Sequence, residues 1–161
     1  MTPIEQIEDG SAAGKQQYLS FQLGAEEYGI DILRVQEIRA YEQATRIPNT
    51  PLFIKGVINL RGVIVPVIDL RMKFGLATVE YNEMTVVVVL NVADRTIGVV
   101  VDKVSDVLAL APADIRPAPE FTSMVENAFV RGLATIDERM LIIADIERLM
   151  TGADMALVTV H

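Results

Sequence analysis

The only histidine in this 161-residue chain is His161, its last residue, and there is no cysteine. A nucleophile activated by an internal imidazole, a catalytic thiolate and a Cys/His metal set are all missing. A Ser-Lys pair could still act as nucleophile and base, but no spacing singles one out. No Gly-rich loop ends in Lys-Ser or Lys-Thr and no G-x-G-x-x-G opens a helix, so nucleotide binding has no motif to rest on. Carboxylates are plentiful, at Glu26-Glu27, Asp102 with Asp106, and Asp137-Glu138. In a chain with 22 acidic residues such pairs read as solvated surface rather than as the acid and base of a glycosidase. The expectation is a protein without catalysis, cofactor or metal.

The elements that must position any functional residue are strands. Hydrophobic residues make up 51% of the chain and aromatics 6%, with no Trp, so the core must be Val, Ile and Leu, which favour strands. A net charge of −8 argues against nucleic acid as a partner, because that contact depends on neutralising phosphates. The N-terminus is acidic, without the basic-then-apolar pattern of a secretory signal, and no apolar run reaches the roughly 18 to 20 residues of a membrane span. A cytoplasmic location with no direct membrane insertion is expected.

Residues 1–15, acidic and then rich in Gly, Ser and Ala, and residues 153–161 read as flexible tails around a domain over 16–152. Strands are expected at 18–23, 27–31, 35–41, 57–60, 63–69, 85–92, 96–101, 104–110, 130–136 and 140–144. The chain also repeats itself. Residues 28–38 match 97–107 at an offset of 69, pairing Gly29 with Gly98 and Val35 with Val104, and the register reaches Pro48 and Pro117. Residues 55–70 match 131–146 at an offset of 76, with seven extra residues between Pro117 and Gly132. Copies of about 18–76 and 85–152 would each supply five short strands, enough for one small barrel, and two barrels fit the length.

Each copy ends alike, with Asp69 before Leu-Arg-Met-Lys-Phe-Gly75 and Asp145 before Ile-Glu-Arg-Leu-Met-Thr-Gly152. An Asp that accepts from the first free amides and a Gly able to take positive φ mark short capped helices, so both aspartates look structural. A further helical turn is expected at Thr50-Pro51.

The copies differ at one turn. Asn59-Leu60-Arg61-Gly62 in the first faces Thr135-Ile136-Asp137-Glu138 in the second. A tight turn accounts for Gly62 but not for Arg61, which is either solvated or a recognition residue.

The segments Glu26-Glu27-Tyr28-Gly29-Ile30-Asp31-Ile32, Val35-Gln36-Glu37-Ile38 and Asn59-Leu60-Arg61-Gly62-Val63-Ile64-Val65-Pro66-Val67-Ile68-Asp69-Leu70 resemble the signature of CheW-type coupling proteins. The resemblance continues through Gly98–Val107 and from Ile115 to Phe121, and covers nearly everything from Tyr18 to Leu149. It implies two SH3-like five-stranded barrels and a scaffold without enzymatic activity. Its implied partners are the cytoplasmic tip of methyl-accepting chemoreceptors and the regulatory domain of the histidine kinase CheA, and the length suggests a stand-alone coupler. Carried over residue by residue, the receptor-facing positions are Val35, Glu37 and Arg61, with Val104 and Val107 nearby, while Gly56 and Gly98 support that surface. Repeat equivalence would set Val35 and Val104 beside a shared groove. A ligand-sensing β-barrel regulator is the alternative reading.

Overall fold

The computed structural model describes residues 14–76, 79–117 and 130–150, the side chains of 149 and 150 excepted. Most of the two expected tails, His161, Phe121 and Gly152 lie outside these residues. The chain runs β1 (Gln16–Leu23), β2 (Glu26–Asp31), β3 (Val35–Ala40), β4 (Ile54–Leu60), β5 (Val63–Asp69) and helix α1 (Leu70–Lys73). It continues through β6 (Val86–Val92), β7 (Arg95–Val101), β8 (Lys103–Leu110), β9 (Ile115–Arg116), β10 (Val130–Ile136), β11 (Arg139–Ala144) and helix α2 (Ile146–Met150). All ten expected strands are present within three residues at either end. The two-residue β9 is additional, and Thr50-Pro51 holds a hydrogen-bonded turn, Ile54 N to Pro51 O at 3.0 Å, instead of a helix.

One sheet has the order β8-β1-β2-β11-β10-β9 and the other β3-β6-β7-β5-β4, antiparallel except where β11 meets β2 and β5 meets β7. Each sheet therefore draws on both copies of the repeat. The β1–β2 hairpin of the first copy sits between β8 and β11 of the second, and β6–β7 of the second sits between β3 and β5 of the first. This corrects the expectation of one barrel per copy. The copies have exchanged their first hairpins, with crossovers at Ile32–Arg34 and at Asp102.

Side-chain alternation shows why the middle strands are almost wholly apolar. On β6 and β7, Val88, Leu90, Ile97, Val99 and Val101 face a core shared with Leu19, Phe21, Leu23 and Ile30 of the other sheet. Val87, Val89 and Val100 point the other way, into a separate cluster with Ile58, Leu60, Val65 and Val67. A strand buried on both faces has no polar side to alternate with. The six-stranded sheet encloses its own cluster of Tyr18, Leu110, Ala134, Leu141 and Ile143. Each fully buried Val, Leu or Ile contributes roughly 1.5–3 kcal/mol relative to leaving it in water.

Each sheet closes on itself through the segment that follows the third strand of one repeat copy, β3 or β8. Thr45, five residues beyond β3, exchanges two backbone hydrogen bonds with Val57 of β4, at 2.8 and 2.9 Å. In the other sheet β9, reached from β8 through a 3-10 turn at Pro112–Asp114, pairs with β10. Both closures need a glycine. A Cβ on Gly56, at φ +135°, would lie 2.0 Å from the Thr45 carbonyl oxygen, and one on Gly132 would lie 2.6 Å from that of Arg116. The matched carbonyls are thus 71 residues apart, not 69. Two residues have been added by this point in the second copy, so the Pro48–Pro117 match is not one of register.

Candidate functional site

Closure of the five-stranded sheet brings its two edges together, and there the first candidate residues meet. Arg61 at the β4–β5 tip donates to the Glu37 carboxylate on β3, which also faces Arg39 at 3.7 Å. Both central residues of the hairpin turn have positive φ, Arg61 at 52° and Gly62 at 89°, as a two-residue hairpin with right-handed strand twist requires. Asn59 Oδ1 accepts from the Gly62 amide at 2.7 Å and stiffens the turn. A non-glycine residue in this region carries backbone strain. The Arg61 hydrogen bond, followed by its charge, holds the Glu37 carboxyl below its usual range. Next to the pair in sequence, Ile38, Val63 and Ile64 are left exposed at 44%, 52% and 61%.

Val35 and Val104 both pack, partly buried, against the core shared by the two sheets. Each lies at a bulge, the first in the β3–β6 ladder and the second opposite Leu19–Phe21 of β1. There the Ser20 hydroxyl takes up the Asp106 amide at 3.0 Å in place of a ladder bond. Val107, further along β8, is 49% exposed and belongs to the six-stranded sheet. Glu37 and Arg61 are thus in contact, Val35 and Val104 both pack half-buried on the core shared by the two sheets, and Val107 stands on the six-stranded sheet with Val104. Two hollows among the described residues, one around Arg34, Arg131 and Glu147 and one around Arg116, Leu133 and Met140, lie apart from the five. Gly98 lets β7 lie close to β6, since a Cβ there would sit 2.8 Å from Val87 Cγ1.

The two aspartates are helix caps. Asp69 accepts from the Arg71 amide at 2.9 Å and Asp145 from that of Arg148 at 3.1 Å. Asp69 also belongs to a buried network that the sequence pattern did not reveal. Its carboxylate takes two bonds from the Arg71 guanidinium, at 3.0 and 2.9 Å, and one from the Tyr81 hydroxyl at 2.7 Å. Arg71 Nη1 reaches the Glu80 carbonyl at 2.6 Å and Asp102 Oδ1 at 2.8 Å, and Asp102 Oδ2 accepts from Gly24 N at 2.6 Å. Burial disfavours the Arg71 charge, but the bonds to Asp69 and Asp102 outweigh it and raise the pKa. Burial, then the bond to Asp69, raises that of Tyr81. The only sequence signal was that Arg71 and its repeat equivalent Glu147 have opposite charge. Glu147 bonds instead to Arg34 at 2.7 Å.

The seam of the six-stranded sheet is built differently. Asp106, equivalent to Glu37, is met by Arg139 at 3.3 Å, and Arg139 also grips Glu27 through Nε and Nη2. Acidic Asp137 occupies the place of Arg61. Among the described residues no three His, Asp or Glu side chains form a group that could hold a metal ion.

The chain as a whole is similar to known proteins. A family model described as a CheW-like domain matches residues 17–154. The chemotaxis protein CheW of Klebsiella aerogenes is 61% identical over 143 residues, 89% of this chain and 86% of that protein. That of Bacillus subtilis is 33% identical over 78% of this chain and 80% of its own. The crystal structure of the scaffolding protein TtCheW from Thermoanaerobacter tengcongensis superposes with a TM-score of 0.78 at 34% identity, covering 86% of this chain and 90% of that one.

Proposed function

The chain belongs to the CheW-like family and is a chemotaxis adaptor, and from that premise we propose that it couples methyl-accepting chemoreceptors to the histidine kinase CheA. It acts as a scaffold without catalysis, in the cytoplasm, and is recruited to membrane-associated receptor arrays by its partners. No described helix is long and apolar enough to cross a membrane. The receptor tip, a helical hairpin, docks on Val35, Glu37, Arg61, Val104 and Val107, with Gly56 and Gly98 holding the backbone beneath.

The observation that carries this reading is the Arg61–Glu37 pair. An arginine kept on strained backbone and paired across a sheet closure supplies a fixed charge pattern, and exposed Ile38, Val63 and Ile64, next to the pair in sequence, supply apolar surface. Helix-in-groove recognition uses the apolar surface for affinity, and charge complementarity supplies orientation. The regulatory domain of CheA needs a separate surface, because a coupler must hold both partners at once. A pull-down with a receptor cytoplasmic fragment and the CheA regulatory domain tests this. The ternary complex is expected, and mutual exclusion of the two partners would contradict it.

A further inference from the structure

Because the copies are related, each could in principle close on itself, with β1–β2 taking the place of β6–β7 in the sheet of β3, β4 and β5. Most contacts would then be replaced by their repeat equivalents. At the two crossovers they would not.

As observed, α1 of the first copy lies against the β7–β8 crossover of the second, so Arg71 finds Asp102. In the unexchanged arrangement α1 would lie against the first copy's own crossover. The residue equivalent to Asp102 there is Leu33, followed by Arg34. Arg71 is 1% exposed, so its guanidinium would lose a carboxylate without gaining water and would approach another cation. Breaking a buried pair on one side is among the costlier changes a protein can suffer. The opposite crossover discriminates little. Glu147, paired with Arg34 in the observed fold, would meet Lys103 instead, which carries the same charge as Arg34.

We propose that Arg71 and Asp102 are a pairing filter: they make the exchanged arrangement of the two repeats the only one in which the buried guanidinium is fully satisfied. The exchange binds both sheets into one unit, since each then contains strands of both copies. Specificity of this kind is obtained by penalising the alternative, not by strengthening every native contact.

The chain has no cysteine, so introduced pairs report pairing cleanly. Gln17 on β1 faces Ala109 on β8, and the repeat equivalent of Ala109 is Ala40 on β3. A Q17C/A109C chain forms an intramolecular disulfide in the exchanged fold and Q17C/A40C forms one only in the unexchanged fold. Leu33 is 81% exposed, so Leu33→Asp leaves native contacts intact while offering Arg71 a carboxylate in the alternative. Asp102→Asn weakens the native one. After unfolding and refolding, the 17–40 disulfide is expected to be absent in the parent, detectable with Leu33→Asp, and a further tenfold or so more abundant with Leu33→Asp/Asp102→Asn. Refolding of the double variant to the 17–109 disulfide alone, at the parental yield, overturns the filter. If the double variant forms neither disulfide, Leu33→Asp decides: a 17–40 product supports the filter, and its absence overturns it.

Discussion

Arg61 donates to Glu37 across the line where the five-stranded sheet closes, so the two residues join edges that are four strands apart in the ladder. The pair is exposed, and exposed pairs are screened by water and salt. Its value is positional. Arg61→Glu should therefore lower affinity for a receptor cytoplasmic fragment at least about tenfold, while Tm stays within about 2 °C of the parent. Binding titration and thermal unfolding on one preparation check both.

The same hydrogen bond predicts a pH signature. Glu37 titrates below the 4.5 of an ordinary glutamate because Arg61 stabilises its charged form. A depressed folded pKa means that the contact is intact above the unfolded value and is lost as pH falls through the folded one. Carboxyl carbon NMR should place the Glu37 midpoint below 4.5, and Arg61→Ala should move it upward.

Closure at Gly56 should be intolerant of any side chain. Gly56→Ala would combine φ +135° with a Cβ 2.0 Å from a carbonyl oxygen and should cost about 3 kcal/mol or more. Gly62→Ala, at φ +89° with nothing within 4 Å, should cost about 1 kcal/mol. Urea unfolding of the two variants separates steric closure from backbone preference.

The two helix-borne ion pairs should differ sharply. Arg71→Met leaves Asp69 buried without its cation and should cost roughly 3–5 kcal/mol. Glu147→Gln breaks a pair whose side chains are 38% and 54% exposed and should change stability by less than about 1 kcal/mol. Chemical denaturation decides.

Strand positions were legible because alternating or continuous apolar runs bounded by turn residues mark them locally, and the Asp69 and Asp145 caps announced both helices. The duplication was legible too, but not the exchange. Hydrophobic pattern says which face of β2 is buried, not whether β8 and β11 or β3 and β5 lie beside it. That choice rests on single residues such as Arg71 and Asp102, which read as ordinary surface charges in a polar context. Arg61 was visible as an asymmetry between the copies, and its partner Glu37 through family resemblance. Arg139 and the closure carbonyls of Thr45 and Arg116 had no sequence signal, since each acts through a contact between distant segments.

The claim that the chain is a coupler is tested most directly by reconstituting receptor fragments, CheA and this protein and measuring kinase autophosphorylation. Receptor-dependent control of CheA that requires the protein and is lost with Arg61→Glu is expected. Equal control without the protein, or undiminished control with Arg61→Glu, would contradict it.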